Sequence, residues 1–390
     1  MHFVKKEYSR AMQILAYVIA TIIPLLSLYT IFGLDLYKTG EFRTILMCLM
    51  AGVVAFEMAS LINRTTINQG WLARMEVVRY SAPIVEEILK GLLLWYLVSR
   101  PKFTYFVEGA VYGFAAGIGF AVVENFQYIG SAGSAGFAVA ASRVISTNLI
   151  HASTCGILGI ALGLARFERG SRKIQFSAAG LLAAMLLHVG FNNMVTRVNS
   201  GLLLVYAASC GLVGAGVIAF LIRRGLKEEK AWIEEKLGMT DRVTSGEVAI
   251  VQRLEKAHEL LKPLAERFGD KKAAQIERFL IIQARMGILR KSLDKLSDER
   301  MKRAVEDQIY KLRAEMDDSR RQVGSYAMLY LRHTIPENAS PLWGRLEALI
   351  QERAASPRPA GSGMNVWETL KLRQEEHKAI APESKQENKL

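Results

Sequence analysis

The amino-acid sequence predicts an all-α protein, a polytopic membrane helix bundle of about seven spans followed by a soluble helical C-terminal region. Residues 1–225 form a series of apolar runs separated by short charged segments. Each run is about twenty residues long, which is the length that an α-helix needs to cross the hydrocarbon core. Backbone polar groups in lipid must be satisfied within the protein, so such runs indicate helices. From Leu226 onward charged residues recur every few positions, and no run is long enough to span.

The apolar runs give the predicted spans. They cover residues 11–33, 42–63, 77–98, 104–129, 137–165, 174–196 and 201–222. The first run follows a basic segment but lacks a small-x-small cleavage site, so we expect an uncleaved first span and not a signal peptide. Residues 130–136, GSAGSAG, are predicted to be a flexible turn between two spans. The membrane domain is therefore predicted to be residues 1–225.

Residues 226–352 are predicted to be a soluble helical domain. Residues 250–268 and 271–293 carry apolar residues at three- and four-residue spacing and are joined at Gly269-Asp270, which predicts two amphipathic helices. Residues 297–322 predict a third helix, with opposite charges one turn apart. We interpret this region as a solvated helical bundle, with coiled-coil packing or a surface for a partner protein as alternatives. Residues 353–390 are polar, contain the stretch ASPRPAGSGM and are predicted to be disordered.

The charge distribution favours a membrane protein over a nucleic-acid-binding one. The formal net charge is +13, and Lys and Arg outnumber Asp and Glu by 19 to 10 in residues 1–225 and by 31 to 27 after them. Basic residues that flank spans are typical of membrane proteins, and no nucleic-acid-binding module is present, so no nucleic-acid partner is expected. Counted over the loops, Lys and Arg favour a cytoplasmic C-terminal region, whereas the basic N-terminal segment favours the opposite orientation.

The informative residues are the ionisable side chains inside the apolar runs. Each charge near the centre of a span costs roughly 2.5–3.5 kcal/mol, so several of them in one bundle indicate a functional site. The predicted spans contain these ionisable residues: Glu57, Glu86, Glu87, Glu108, Glu124, Lys90, Arg143, His151 and His188. Of these, Glu108 lies near the start of its span and is expected at the membrane interface. Glu57 has no evident partner. The three cysteines lie in apolar runs without CxxC spacing, which argues against a zinc-thiolate site.

The segment Glu86-Glu87-Ile88-Leu89-Lys90 contains two acidic side chains and one basic side chain. Lys90 is one helical turn from both carboxylates, so it is able to neutralise one of them. A single Glu with a single Lys would be read as a structural ion pair. Two carboxylates with one cation leave a surplus acid, which is suited to act on water.

The other ionisable residues belong to three further spans. Glu124 lies late in the fourth, where a lone glutamate can also extend its carboxylate to the interface. His151 lies within the fifth, and His188 and Asn192 are one turn apart on the sixth. A lone buried histidine is usually a hydrogen-bonded core residue. Two histidines in one bundle with three carboxylates favour a catalytic site that has a base, a second acid and an oxyanion donor.

Taken in order, these motifs resemble the PrsW family. The resemblance rests on Glu86-Glu87-x-x-Lys90, Phe120-x-x-x-Glu124 with Asn125, His151, and His188-x-x-x-Asn192, and it covers roughly residues 77–197. The stretch FVEGAVYGFAAGIGFAVVENFQY is the closest match. The PrsW family is distantly similar to the type II CAAX prenyl endopeptidases, whose motifs are EExxxR, FxxxH and HxxxN. This sequence has Glu124 at the position of the histidine in FxxxH, so the mechanism of those enzymes transfers only in part.

The resemblance implies an intramembrane endopeptidase of a bacterial cell membrane that cleaves a membrane protein, such as a membrane-tethered anti-sigma factor. By analogy, Glu86 activates the attacking water and Glu124 positions it. His188 and Asn192 bind the oxyanion, and Glu87 pairs with Lys90. These roles make Glu86, Glu87, Glu124, His151, His188 and Asn192 the predicted catalytic residues.

Whether a metal takes part is left open by the sequence. Glu124, His151 and His188 are the candidate ligands, and zinc is the candidate metal. No HExxH motif, the stronger zinc signal, is present, so the sequence slightly favours a metal-free glutamate mechanism.

Two other functional classes use the same features. The intramembrane Glu and His residues would also suit a proton-coupled transporter or channel, where they would form a relay. A transporter often shows two corresponding halves with broken spans, and no such internal symmetry is visible. A third class is a scaffold whose C-terminal helices bind a partner.

Overall fold

The computed structural model confirms the all-α fold class: it is helical throughout and contains no strand among the residues described. It describes residues 2–333 apart from 198–199, 239–240, 242 and 255–256. The predicted disordered tail at 353–390 and the end of the predicted soluble domain, 334–352, lie outside the described residues.

The helices that precede the C-terminal region are numbered here in chain order. They are α1 His2–Gly33, α2 Phe42–Asn68, α3 Arg74–Glu76, α4 Ala82–Val98, α5 Phe106–Ala132, α6 Gly136–Val144, α7 Thr147–Ala165, α8 Gly170–Val195 and α9 Ser200–Lys236. A π-helical turn, Val77–Ser81, leads into α4, and a short 3-10 turn, Gly133–Ala135, separates α5 from α6.

Among the residues that the structure describes, five segments are long and apolar enough to cross a membrane, fewer than the seven spans predicted. They are Ala11–Gly33, Phe42–Asn68, Phe106–Ala165, Gly170–Val195 and Val205–Lys236. The difference has two sources. The predicted span at 77–98 is a π-helical turn followed by a 17-residue helix, and the predicted spans at 104–129 and 137–165 fall within one apolar stretch. The count of seven crossings stays a prediction.

Two local predictions within this half need correction. Residues 137–165 are not one helix, because the chain leaves the helix at 145–146 between α6 and α7. The predicted turn at 130–136 is mostly helical, and only Gly133–Ala135 departs from the α-helix, with Gly133 at a positive φ of 55°.

Helix α5 is the centre of the membrane half. Every residue from Phe106 to Ala121 is buried, because this stretch is apolar or small on all sides. Neighbouring helices approach α5 closely at its glycines: a Cβ on Gly113 would lie 2.2 Å from the carbonyl oxygen of Cys155 on α7. On another side, a Cβ on Gly119 would lie 1.9 Å from the carbonyl oxygen of Leu49 on α2. Small residues thus let three backbones meet around α5.

Up to His333, where the description of the C-terminal region ends, this region contains five helices. They are α10 Ser245–Val251, α11 Ala257–Phe268, α12 Asp270–Lys295, α13 Glu299–Val323 and α14 Ser325–His333. Helix α12 is the core of this set, and Gly269, at φ 83°, separates it from α11 as predicted. The single helix predicted at 250–268 is wrong, since α10 ends at Val251 and α11 begins at Ala257.

The C-terminal helices pack against one end of the membrane bundle. Helix α9 continues to Lys236, through the predicted domain boundary at 225. The ring of Trp232 on α9 lies 4.2 Å from that of Tyr105, just before α5. Lys38, between α1 and α2, pairs with Glu277 on α12 at 2.8 Å. We call this end, with the loops 34–41, 99–105 and 166–169, the C-terminal face of the bundle.

Candidate active site

The candidate site lies in the half of the bundle away from the C-terminal face. Glu86 and His151 each lie about one turn after the start of α4 and α7, helices that run toward that face. Glu124 and His188 each lie about two turns before the end of α5 and α8, helices that run away from it. Four helices therefore bring these side chains to one level.

Glu87 is the structural centre of the site. Its Oε1 atom accepts hydrogen bonds from Lys90 Nζ at 2.6 Å and from Thr154 Oγ1 at 3.0 Å, and it lies 2.9 Å from His188 Nδ1. The side chains of Glu87 and Lys90 are both 0% exposed. A fully buried charge pair needs such additional hydrogen bonds to offset the loss of hydration. Glu87 thereby fixes Lys90, and it fixes the His188 ring with Nδ1 as donor and Nε2 available as an acceptor.

Glu86 points the other way and is less engaged. Its buried Oε2 atom has no hydrogen-bond partner among the described residues. His188 Nε2 lies 3.7 Å from this atom. The surplus carboxylate that the sequence indicates is thus Glu86, next to the available nitrogen of a histidine.

His151 connects this pair to Glu124. Its Nδ1 lies 3.2 Å from Lys90 Nζ, and its Nε2 lies 2.8 Å from Glu124 Oε2. Since an ammonium can only donate, Nδ1 accepts from Lys90 and Nε2 carries the proton toward Glu124. The ring also packs at right angles to that of His188, with centroids 4.7 Å apart.

Arg143 closes the site on its more open side. Its Nη2 donates to Glu124 Oε2 at 2.6 Å, and its Nε donates to Asn125 Oδ1 at 2.7 Å. The guanidinium lies 3.9 Å from the Tyr128 ring centroid. The side chains of Glu124 and Arg143 are 16% and 14% exposed, against 1% for His151. This edge is therefore more exposed than the buried centre of the site.

Three donors come close enough to share a metal ion. One atom each from Glu86, His151 and His188 lies within 4.8 Å of the other two, and all three residues are buried. In the part of the chain that the structure describes, it is the one such group of three or more. The sequence predicts Glu124 in place of Glu86. Glu124 is not part of this group of three. Its Oε2 atom accepts from Arg143 Nη2 and lies within hydrogen-bonding distance of His151 Nε2.

Asn192 does not face the site. Its Nδ2 donates to the carbonyl oxygen of Val78 at 2.9 Å, and the Nδ2 of Asn193 donates to that of Arg79 at 3.2 Å. Both acceptors belong to the π-helical turn before α4, and such turns often mark functional positions. Asn192 lies one helical turn after His188, at the level of the π-helical turn. Its hydrogen bond to Val78 therefore positions the start of α4.

Glu108 lies in the first turn of α5 and is buried within the protein, and its place at the membrane interface stays a prediction. It is 1% exposed, and its Oε1 accepts from Thr104 Oγ1, because the loop before α5 folds over it. Glu57 is exposed on the outer surface of α2 and is not part of the site.

Two supporting contacts were missed by the sequence analysis. Thr154 is one turn from His151, a spacing that could have placed it in the site. The buried bond from Asn125 Nδ2 to Asn148 Oδ1, 2.6 Å long, joins α5 to α7 and carries no local sequence signal.

Comparisons with known proteins show which family the chain is similar to. Residues 40–222, just under half of the chain, match the profile of a family described as PrsW family intramembrane metalloprotease. A segment of 121 residues, 31% of the chain, is 30% identical to "Protease PrsW" of Bacillus subtilis (strain 168). The matched segment spans 54% of that relative's length. No solved structure matches the chain significantly.

Proposed function

We propose, from the match of residues 40–222 to the PrsW family model, that the chain is an intramembrane endopeptidase of that family, which hydrolyses a peptide bond of another membrane protein. The observation that carries the proposal is the convergence of Glu86, His151 and His188 within a membrane helix bundle. A base, a fixed histidine and a neighbouring cation are the groups that peptide hydrolysis needs.

The proposal includes a metal, with zinc as the first candidate. The unpartnered Oε2 of Glu86 and the available Nε2 of His188 suit an ion, and carboxylate with two imidazoles is a zinc donor set. The bond from Glu87 to His188 Nδ1 is the kind of outer contact that orients a ligand histidine. His151 would bind an ion through Nε2 as the other neutral tautomer, with its proton on Nδ1, so its hydrogen bonds to Glu124 and to Lys90 would both have to rearrange. A zinc ion held there would supply Lewis-acid chemistry to the scissile carbonyl.

The protein's own residues then have separate roles in the hydrolysis. Glu86 either takes a proton from the attacking water or, in the zinc-loaded form that we propose is active, serves as a ligand. In that form Glu124, released from His151 and held by Arg143, is the remaining carboxylate that accepts the proton. Arg143 also provides positive charge at the more exposed edge of the site, where negative charge develops on the substrate.

The transporter alternative is less well supported by the layout. A relay would have to continue from the site to the other buried acids near the C-terminal face, such as Glu108. Along α5, Glu124 and Glu108 are sixteen residues and therefore about 24 Å apart. The residues from Gly109 to Ala121 are buried and, apart from Tyr112, apolar or small, and the glycines among them that face α7 lie against its backbone. Such packing leaves no polar path between the two groups.

The substrate is proposed to be a membrane-tethered regulatory protein, with an anti-sigma factor as the candidate that the family resemblance implies. We further propose that the chain lies in a bacterial cell membrane with the C-terminal face in the cytoplasm, as the loop charges favour. The site would then lie in the outer half of the bilayer. A C-terminal reporter that is active only in the cytoplasm should be active, and an inactive, correctly expressed reporter would reverse the orientation.

The test of the proposed function compares membrane proteomes of cells that carry wild type or Glu86→Gln. Glutamine keeps the size of the side chain but cannot accept a proton, and it is a poor zinc ligand. We expect one membrane protein to accumulate uncleaved in the Glu86→Gln strain and its fragments to disappear. Glu57→Gln, also an acid in an apolar helix but outside the site, is the matched control and should behave as wild type. Identical proteomes in all three strains would contradict the proposal.

A further inference from the structure

A cavity of about 430 Å³ lies at the C-terminal face of the membrane bundle. It is bounded by the end of α4, the end of α7, the start of α8 and the start of α13. Its lining includes Trp95, Ser99, Arg166, Lys173, Ser177 and Arg300. It is far from the candidate active site, which occupies the opposite half of the bundle.

Arg166 is the unusual residue of this cavity. It is 7% exposed, and its Nη1 donates to the carbonyl oxygens of Val98 and Arg100. Its Nε and Nη2 atoms are buried and have no hydrogen-bond partner among the described residues. Burial lowers the pKa of Arg166 to about 10. A buried guanidinium with unused donors is costly unless an anion compensates it.

The acid Glu108 lies near enough to Arg166 to offset in part the lowering of its pKa, but the cavity itself is lined by more cations than carboxylates. Lys173 and Arg300 also line the cavity, against the two carboxylates Glu168 and Asp298. The carboxylate of Asp298 already accepts from the backbone N–H of Met301 at 2.8 Å. Arginine with an adjacent lysine is the arrangement that suits a phosphate, whose oxygens accept several charged hydrogen bonds.

An apolar groove continues from this cavity along the membrane-facing surface between α4 and α8. It has a volume of about 440 Å³, shares Trp95, Lys173 and Ser177 with the cavity, and is lined further on by Leu92 and Leu158 among others. Its rim is exposed: Leu92 is 52% and Trp95 is 63% exposed. In a bilayer such a surface meets lipid acyl chains, and an exposed tryptophan beside it is typical of the interface.

We propose that the cavity and the groove together bind one anionic glycerophospholipid, with its phosphate at Arg166 and Lys173 and an acyl chain in the groove. The combination favours a lipid over an acidic peptide, because the polar end lies at the level of the headgroups and the apolar part faces the bilayer. The site joins both halves of the protein, since α13 contributes Arg300 and Met301. A bound lipid therefore fastens the C-terminal helices to the membrane half.

The test measures binding of defined lipids to the full-length, delipidated protein by native mass spectrometry. The probes are phosphatidylglycerol, phosphatidylcholine with the same acyl chains, and glycerol 3-phosphate, which has no acyl chain. We expect phosphatidylglycerol to bind at least about tenfold more tightly than phosphatidylcholine, as the loss of one charged contact of about 1.4 kcal/mol would give. Glycerol 3-phosphate should bind weakly.

Three variants address the two ends of the site. Arg166→Gln and Lys173→Glu should each reduce phosphatidylglycerol binding about tenfold, and Ala178→Phe should reduce it by filling the groove. Arg172→Gln, an exposed neighbour that does not line the cavity, is the matched control and should bind as wild type. Lys173 and Ala178 are exposed, so their variants decide the question even if Arg166→Gln does not fold.

Several results would overturn the proposal. Equal binding of the two phospholipids, or unchanged binding by Lys173→Glu and Ala178→Phe, would exclude a specific lipid site. Binding of glycerol 3-phosphate as tight as that of the lipid would show a phosphate site without a role for the groove. Displacement of the lipid by an acidic peptide, but not by excess lipid, would assign the surface to a protein partner.

Discussion

At the residue scale, the buried pair of Glu87 and Lys90 holds the candidate site together. Lys90 is the fixed cation between Glu87 and His151, with Nζ distances of 2.6 Å and 3.2 Å. Glu87 in turn fixes the ring of His188. One ion pair therefore sets the orientation of both histidines, which makes it a positioning element for whichever group acts on the substrate.

Replacing Lys90 by methionine should destabilise the protein strongly. The change leaves the Glu87 carboxylate buried without its cation, and removing one partner of a buried pair typically costs about 3–5 kcal/mol. We expect a clearly lower midpoint of thermal unfolding in detergent and loss of cleavage. Lys102→Met is the matched control, because the pair of Lys102 with Glu41 is 3.5 Å long and exposed, and such pairs contribute about 0–1 kcal/mol. Equal midpoints for the two variants would contradict the structural role of Lys90.

The double variant Lys90→Met with Glu87→Gln separates charge from packing. It removes the uncompensated carboxylate, so part of the lost stability should return. Activity should not return, because His151 still lacks the donor from Lys90, and the neutral amide of glutamine is a weaker acceptor for His188 Nδ1 than the carboxylate is. A double variant that is less stable than Lys90→Met alone would mean that the cost is one of packing.

At the element scale, the close contact of α5 with α7 determines where His151 lies. Gly109, Gly113 and Gly117 recur every four residues on the face of α5 that meets α7. A Cβ on Gly117 would lie 2.2 Å from the carbonyl oxygen of His151 and 2.5 Å from the Cα of Ala152. No side chain fits there unless the two backbones separate.

Gly117→Ala should therefore shift His151 away from Glu124 and Lys90. We expect a loss of stability of about 1–3 kcal/mol, as is usual for overpacking, together with a large loss of cleavage. Gly216→Ala on α9 is the control, because nothing lies within 4 Å of a Cβ at that position. It should leave the unfolding midpoint unchanged or raise it slightly, since alanine favours a helix by about 1 kcal/mol over glycine. Comparable losses in both variants would show that the α5–α7 contact is not the cause.

The sequence predicts which segments are helices better than it predicts the residues at which each helix begins and ends. Hydropathy and periodicity are sufficient to predict the fold class and the helices α12 and α13, because each of these patterns extends over many helical turns. The break between α6 and α7 at 145–146 and the π-helical turn before α4 are not predictable from such patterns, since they depend on packing with neighbouring helices. Spacing shows that Lys90 reaches a carboxylate of the Glu86-Glu87 pair. The contacts of Asn192 and the grouping of Glu86 with the two histidines depend on how four helices meet.

At the scale of the whole molecule, the C-terminal helices are part of one structure with the membrane half. Asp241, after α9, is 0% exposed and accepts from Arg290 Nε on α12 at 2.6 Å and from Arg313 Nη2 on α13 at 2.7 Å. These bonds connect the end of α9 to two helices of the C-terminal region. The region is thus held by α9 as well as by the contacts at the C-terminal face.

Asp241→Asn should loosen the C-terminal helices without disturbing the candidate site. The loss of charged hydrogen bonds should cost about 1–3 kcal/mol, and hydrogen exchange should increase in α12 and α13 while that of α5 and α7 is unchanged. Glu299→Gln is the control, since its pair with Lys302 is one turn long and largely exposed. Faster exchange throughout the membrane half would mean that the two halves unfold as one unit.

The central claim of this account is that Glu86, His151 and His188 form a hydrolytic centre. It is tested most directly by cleavage of the membrane protein that accumulates with Glu86→Gln, reconstituted in liposomes with the purified chain. We predict that wild type cleaves this protein, that a zinc chelator stops cleavage and added zinc restores it, and that Glu86→Gln and His188→Ala are each at least about 100-fold slower. Near-normal cleavage by well-folded His188→Ala, or no cleavage by zinc-loaded wild type, would contradict the assignment.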